Sequence, residues 1–150
     1  MTELKIKRAG VEPPKTTGVS SGGAAGRPEG SDFADSVKTA RKTLLDGELR
    51  KMLDQTRALG EVFLRSPDEE KLDRYKQGIK EYLERASKEA FSLRQEFGTA
   101  HGGQQKVYQL VETVNKEIDS LTQETLQKDK ALALLSSLDE IRGLVLDLFS

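Results

Sequence analysis

A chain of 150 residues with a net charge of −1, from 24 basic and 25 acidic side chains, has no overall field to draw it onto nucleic acid or an anionic surface. It contains no Cys, which excludes disulfides, thiolate metal sites and Cys nucleophiles together. At 35% hydrophobic and 33% charged it is apolar-poor, which predicts a disordered portion beside surface helices with wide solvated faces.

The start, Met1 to Arg8, is basic but runs into Gly, Pro and Thr rather than an apolar leader segment. No apolar run approaches the ~18 residues needed to cross a bilayer. The expected setting is cytoplasmic, with no membrane partner. Ala9 to Gly30 is rich in Gly and Pro and nearly devoid of apolar side chains larger than Ala. It cannot bury enough surface to offset its chain entropy, so residues 1–31 are expected to be a disordered tail.

Ser31 and Asp32 can cap a short flanking helix over residues 32–46, with Phe33, Val37, Ala40 and Leu44 on one side at 4-3-4 spacing. Gly47 is expected to break it. The bundle domain then covers residues 48–150. Its first helix runs from Glu48 to Leu64 with a stripe of Leu49, Met52, Leu53, Thr56, Leu59 and Phe63, and stops before Pro67.

Ser66 suits the N-cap of the next helix, Pro67 its first position, and Glu69 the third place of a capping box. That helix should run to Phe97. Leu72, Tyr75, Ile79, Tyr82, Leu83, Ala86, Ala90, Leu93 and Phe97 form a coiled-coil-like seam. Glu70–Arg74, Glu81–Arg85 and Glu84–Lys88 are i,i+4 pairs for its wet side. Gly98 is the natural stop.

A further helix begins near Gln104, with Val107, Leu110, Val111, Val114, Ile118, Leu121 and Thr125 as its stripe. The set Ala131, Leu134, Leu135, Leu138, Ile141, Val145 and Leu148 follows out of phase, which points to a break or strong kink near 128–131. Gly143 interrupts the last helix at a cost of about 1 kcal/mol relative to Ala, a choice most easily explained by a close helix crossing. Leu144, Leu146, Leu148 and Phe149 join Ile141 and Val145 in making this segment apolar on more than one side, so it is expected to be either the most buried helix of the bundle or part of a dimer surface. The fold class is therefore all-α: an antiparallel bundle of three to four long amphipathic helices behind a disordered N-terminal tail.

Catalytic constellations are not legible. His101, the only histidine, sits in a Gly-rich loop without a sequence-near base–nucleophile arrangement. One His and no Cys do not make a zinc site, and the Glu-x-x-His signature of di-iron bundles is missing. Gly102-Gly103 lacks the strand and the Lys of a phosphate loop. No cofactor is expected. Arg74, Lys76 and Lys80 surround Tyr75 and Tyr82, but both tyrosines fall on the seam, and a nucleic-acid-associated accessory role is the second reading rather than the first.

The residues Arg74-Tyr75-Lys76, Ile79-Lys80 and Tyr82-Leu83, then Val107 to Val111 with Ile118 and Leu121, and the ending Asp139 to Phe149 resemble the YaaR family of small bacterial proteins. The resemblance covers about residues 49–149 and the upstream Phe33-Ala34-Asp35. Tyr82 and Phe149 depart from it mildly, standing where relatives often carry Phe and Tyr. It implies a bacterial cytoplasmic helical protein and brings no catalytic residues with it. The residues themselves lead to a non-enzymatic protein-interaction bundle, acting as adaptor, regulator or chaperone-like protein on other proteins or on further copies of itself. Phe33, Val37, Leu44, Leu144, Leu146 and Phe149 are the expected interaction surface, and Gly143 the expected close crossing.

Overall fold

A computed structural model describes residues 29–97 and 102–149, with side chains over 32–96 and 103–149. Residues 1–28 of the expected tail and the His101 loop fall outside these residues; residues 29–31, expected to belong to the tail, are already helical, so Ser31 and Asp32 lie within a helix rather than at its cap. Four helices account for nearly all of the described chain: α1 (Glu29–Arg65), α2 (Glu69–Phe97), α3 (Gly102–Asp119) and α4 (Lys128–Asp147). The chain divides at Ala40–Arg41 into two units. In the first, residues 29–40 are one helical stretch, exposed apart from the half-buried Lys38 over the positions whose side chains are described. In the second, from Arg41, four amphipathic segments share one core.

Contacts between residues of known order fix the helix directions. Arg41 pairs with Glu96, Glu48 with Arg85, and Leu59 lies against Gly78, so α1 and α2 run antiparallel. Lys80 meets Asp119 at 2.9 Å, and Glu117 meets Lys130 at 3.7 Å, which carries the alternation through α3 to α4. Asp46 of α1 pairs with Arg142 of α4. The parallel pair α2 and α4 meets across the bundle, where the Tyr82 hydroxyl donates to the Leu138 carbonyl at 2.7 Å. The fold is an up-down-up-down bundle.

The α2 seam is buried as its spacing predicts from Leu72 to Leu93. Two expectations about boundaries are corrected. Gly47 does not break the first helix, and the expected flanking helix over 32–46 and the helix starting at Glu48 are one helix, α1. Leu45 and Leu49 on either side of Gly47 are both buried in the core, and that packing outweighs the roughly 1 kcal/mol propensity cost of the glycine. The break before α4 lies earlier than 128–131, in residues 120–127. There the Thr122 N–H donates to Thr125 Oγ1 at 2.8 Å and the Thr125 N–H to Thr122 Oγ1 at 3.2 Å, a reciprocal side-chain clasp. Leu121 and Leu126 are buried at its two ends. Thr125 thus belongs to this turn and not to the α3 stripe.

The cap of α2 also differs from expectation. Asp68, rather than Ser66, accepts the Lys71 N–H at 2.7 Å, because the helix begins at Glu69 and Asp68 is the residue positioned for its orphan donors. That backbone hydrogen bond holds the Asp68 carboxyl below its usual range. Of the expected i,i+4 pairs, Glu70–Arg74 forms at 2.8 Å. Arg85 instead reaches Glu48 and, at 3.4 Å, Glu89.

Candidate functional site

The apolar positions of α1 separate into two sets. Leu45, Leu49, Leu53 and Phe63 enter the core, whereas Phe33 is 71%, Val37 42% and Leu44 67% exposed. Leu44 and Leu45 are neighbours in sequence but point about 100° apart around the helix, which is how one is solvated and the other buried. Phe33 and Val37 lie one turn apart on residues 29–40, the i,i+4 relation that puts side chains on the same face.

The C-terminal residues expected to join this surface do otherwise. Leu144 and Leu146 are half-buried and pack on the core, and Phe149 is only 5% exposed. The chain tightens after α4: the Leu148 N–H donates to the Val145 carbonyl and the Phe149 N–H to the Leu146 carbonyl, both at 3.1 Å. These bonds turn Phe149 inward, where the Arg41 guanidinium stands 5.9 Å from its ring centre. Apolarity on several sides of this segment therefore reflects burial.

Gly143 is not a close crossing. A Cβ added there meets nothing within 4 Å. The close approaches occur at Gly60, where a Cβ would lie 3.0 Å from Tyr75 Cε1, and at Gly78, 3.1 Å from Leu59 Cδ1. Mid-helix glycines on a core-facing side were the sequence signal for these two. Gly143 lacks such a neighbour because the facing chain does not come near its Cα.

Gly60 leads to a feature the sequence does not announce. A cavity of about 390 Å³ opens between the end of α1 and the start of α4, walled by Gly60, Leu64, Ala131, Leu132 and Leu135. Tyr75 of α2 lines it as well and is 1% exposed. Its hydroxyl is buried without a hydrogen-bond partner, and burial pushes its pKa up to about 12, so it is a neutral O–H donor at physiological pH. Arg57, Glu61, Arg65 and Lys128 form the rim.

Polar groups elsewhere in the bundle are committed. Arg142 bridges Asp46 and Asp139, the latter at 2.9 Å. Burial alone would raise Asp46, but hydrogen bonds from Arg142 and Arg50 outweigh it and hold the carboxyl below its ordinary 3.8. The tyrosines of the basic cluster, Tyr75 and Tyr82, are buried, while Arg74 and Lys80 pair with Glu70 and Asp119. No base could stack on either ring without opening the core. Among the described residues no three His, Asp or Glu side chains gather as a metal site, and no helix is long and apolar enough to cross a membrane.

A family model described as "Protein of unknown function (DUF327)" matches residues 7–149. No curated protein and no solved structure matches the chain.

Proposed function

Because the chain belongs to the DUF327 family, also known as the YaaR family, whose description names no activity, we propose from its own residues that it is a non-enzymatic protein-interaction module of the bacterial cytoplasm. The observation that carries this is Phe33, an aromatic side chain 71% exposed on a helical stretch with Val37 one turn away. Large apolar side chains held in water at i,i+4 spacing are the anchors by which one helix docks on another protein. The partner is a protein offering an apolar helix face. Inside the bundle, by contrast, the buried polar groups serve packing: Tyr82 ties α2 to α4, and Thr56 sits beside Gly78 at the α1–α2 crossing.

The test is affinity capture from native cytosol with the full chain and with a Phe33→Glu, Val37→Glu double variant, each with and without nuclease. The expected result is a set of proteins retained by the parent chain, insensitive to nuclease and lost with the variant at unchanged helicity. Equal capture by both chains overturns the assignment of the surface. Nuclease-sensitive capture overturns the protein-partner reading in favour of nucleic acid. Concentration-dependent self-association abolished by the same substitutions makes the partner a second copy.

A further inference from the structure

The cavity between α1 and α4 has the features of a built ligand site, and they are independent of the exposed face of α1. Its volume of about 390 Å³ lies within the range of small-molecule pockets, about 300–1,000 Å³. Its walls are apolar, and Leu132, 56% exposed, stands among them.

The rim specifies what fills it. The Tyr75 ring stands edge-on in the wall, its Cε1 and Cδ1 3.0 and 3.6 Å from a Cβ placed at Gly60, with its hydroxyl sealed inside the core. Three cations, Arg57, Arg65 and Lys128, and one anion, Glu61, line the cavity, and among the described residues Arg57 is engaged by a carboxylate, Asp54 at 3.2 Å, whereas Arg65 and Lys128 are not. Lys128 also opens α4, whose N-cap Gln127 gives no side-chain hydrogen bond to the first turn, so the positive end of that helix adds to the field, with Asp129 partly opposing it.

We infer that this cavity binds a small amphiphilic carboxylate, its apolar body against Leu64, Ala131, Leu132 and Leu135 and its carboxylate held by Arg65 and Lys128. An uncharged apolar molecule would leave the cations unanswered. A small inorganic anion would leave the walls wet. A carboxylate on an apolar body of roughly ten carbons answers both.

Titration of the isotope-labelled full chain with decanoate, followed by backbone amide shifts, tests this. Saturable shifts are expected at Gly60, Ala131 and Leu135, with affinity at least tenfold above that for decanol, since a charge-assisted hydrogen bond is worth about a factor of ten or more. An Arg65→Glu, Lys128→Glu double variant, changed only at rim side chains, should bind decanoate at least tenfold more weakly and keep its affinity for decanol. Absence of saturable shifts at those three residues overturns the site. Equal affinity for decanoate and decanol overturns the carboxylate, as does an unaltered affinity in the rim variant. Binding only of an acidic, apolar peptide, with decanoate inert, makes the cavity a peptide-docking pocket and also overturns the inference.

Discussion

The Tyr82 hydroxyl donates to the backbone carbonyl of Leu138 at 2.7 Å, joining the two parallel helices of the bundle, α2 and α4, through an otherwise apolar interior. Tyr75, seven residues earlier on the same seam and equally buried, has no such partner. The two tyrosines should therefore respond oppositely to loss of the hydroxyl. Tyr82→Phe is expected to destabilise the chain by about 1 kcal/mol and Tyr75→Phe to stabilise it by up to ~1 kcal/mol. Urea unfolding of both variants beside the parent checks this, and equal signs would remove the assignment of their hydroxyls.

The glycines separate in the same manner. Gly60→Ala places a methyl 3.0 Å from the buried Tyr75 ring, and a loss of about 1–3 kcal/mol is expected. Gly143→Ala enters open space in a helix, where a gain of roughly 0.5–1 kcal/mol follows from helix propensity alone. Thermal melts of the two single variants, shifted in opposite directions, are the readout.

The Asp46–Arg142 pair carries a pH dependence. The folded carboxyl lies below 3.8, so the native state binds fewer protons there than the unfolded chain. The stability this group contributes is present above about pH 4 and is lost as pH falls through the depressed value. Asp46→Asn should therefore be less stable than the parent at pH 7, with the difference narrowing below pH 4. Denaturation midpoints at pH 7, 5 and 3 measure it, and a pH-independent difference would assign the effect to shape rather than charge.

The Thr122–Thr125 clasp holds the only connection long enough to stray, between α3 and α4 among the described residues. Thr125→Ala removes the acceptor of the Thr122 N–H and should cost about 1 kcal/mol, in the range of a lost helix cap. Hydrogen exchange at the Thr122 amide, slow in the parent and fast in the variant, locates the loss.

Helix-forming stripes were legible because the 3-4 spacing of residues such as Leu72, Tyr75, Ile79 and Tyr82 has one physical meaning over so many turns. Breaks and contacts were less so. Gly47 reads as a stop only if tertiary packing is ignored, and the packing of Leu45 and Leu49 is not written in local propensity. Phe149 reads equally as core or as dimer surface, because nothing in its neighbours reveals that the chain tightens after Val145 and turns the ring inward. The cavity was invisible for a related reason: Tyr75, Gly60 and Ala131 come from three helices, and only their relative placement makes a pocket of them.

The up-down-up-down order has a kinetic consequence. Each helix folds back on the one before it through a short connection, so most of the packing forms between residues close in sequence, and little loop entropy opposes it. Such a chain is expected to refold in microseconds to milliseconds. The exceptions are contacts that skip helices in sequence: Asp46 and Arg142 are 96 residues apart, and Tyr82 and Leu138, which meet across α2 and α4, are 56 apart. The Tyr82–Leu138 hydrogen bond then forms after the rate-limiting step, and its removal quickens unfolding while leaving the folding rate nearly untouched.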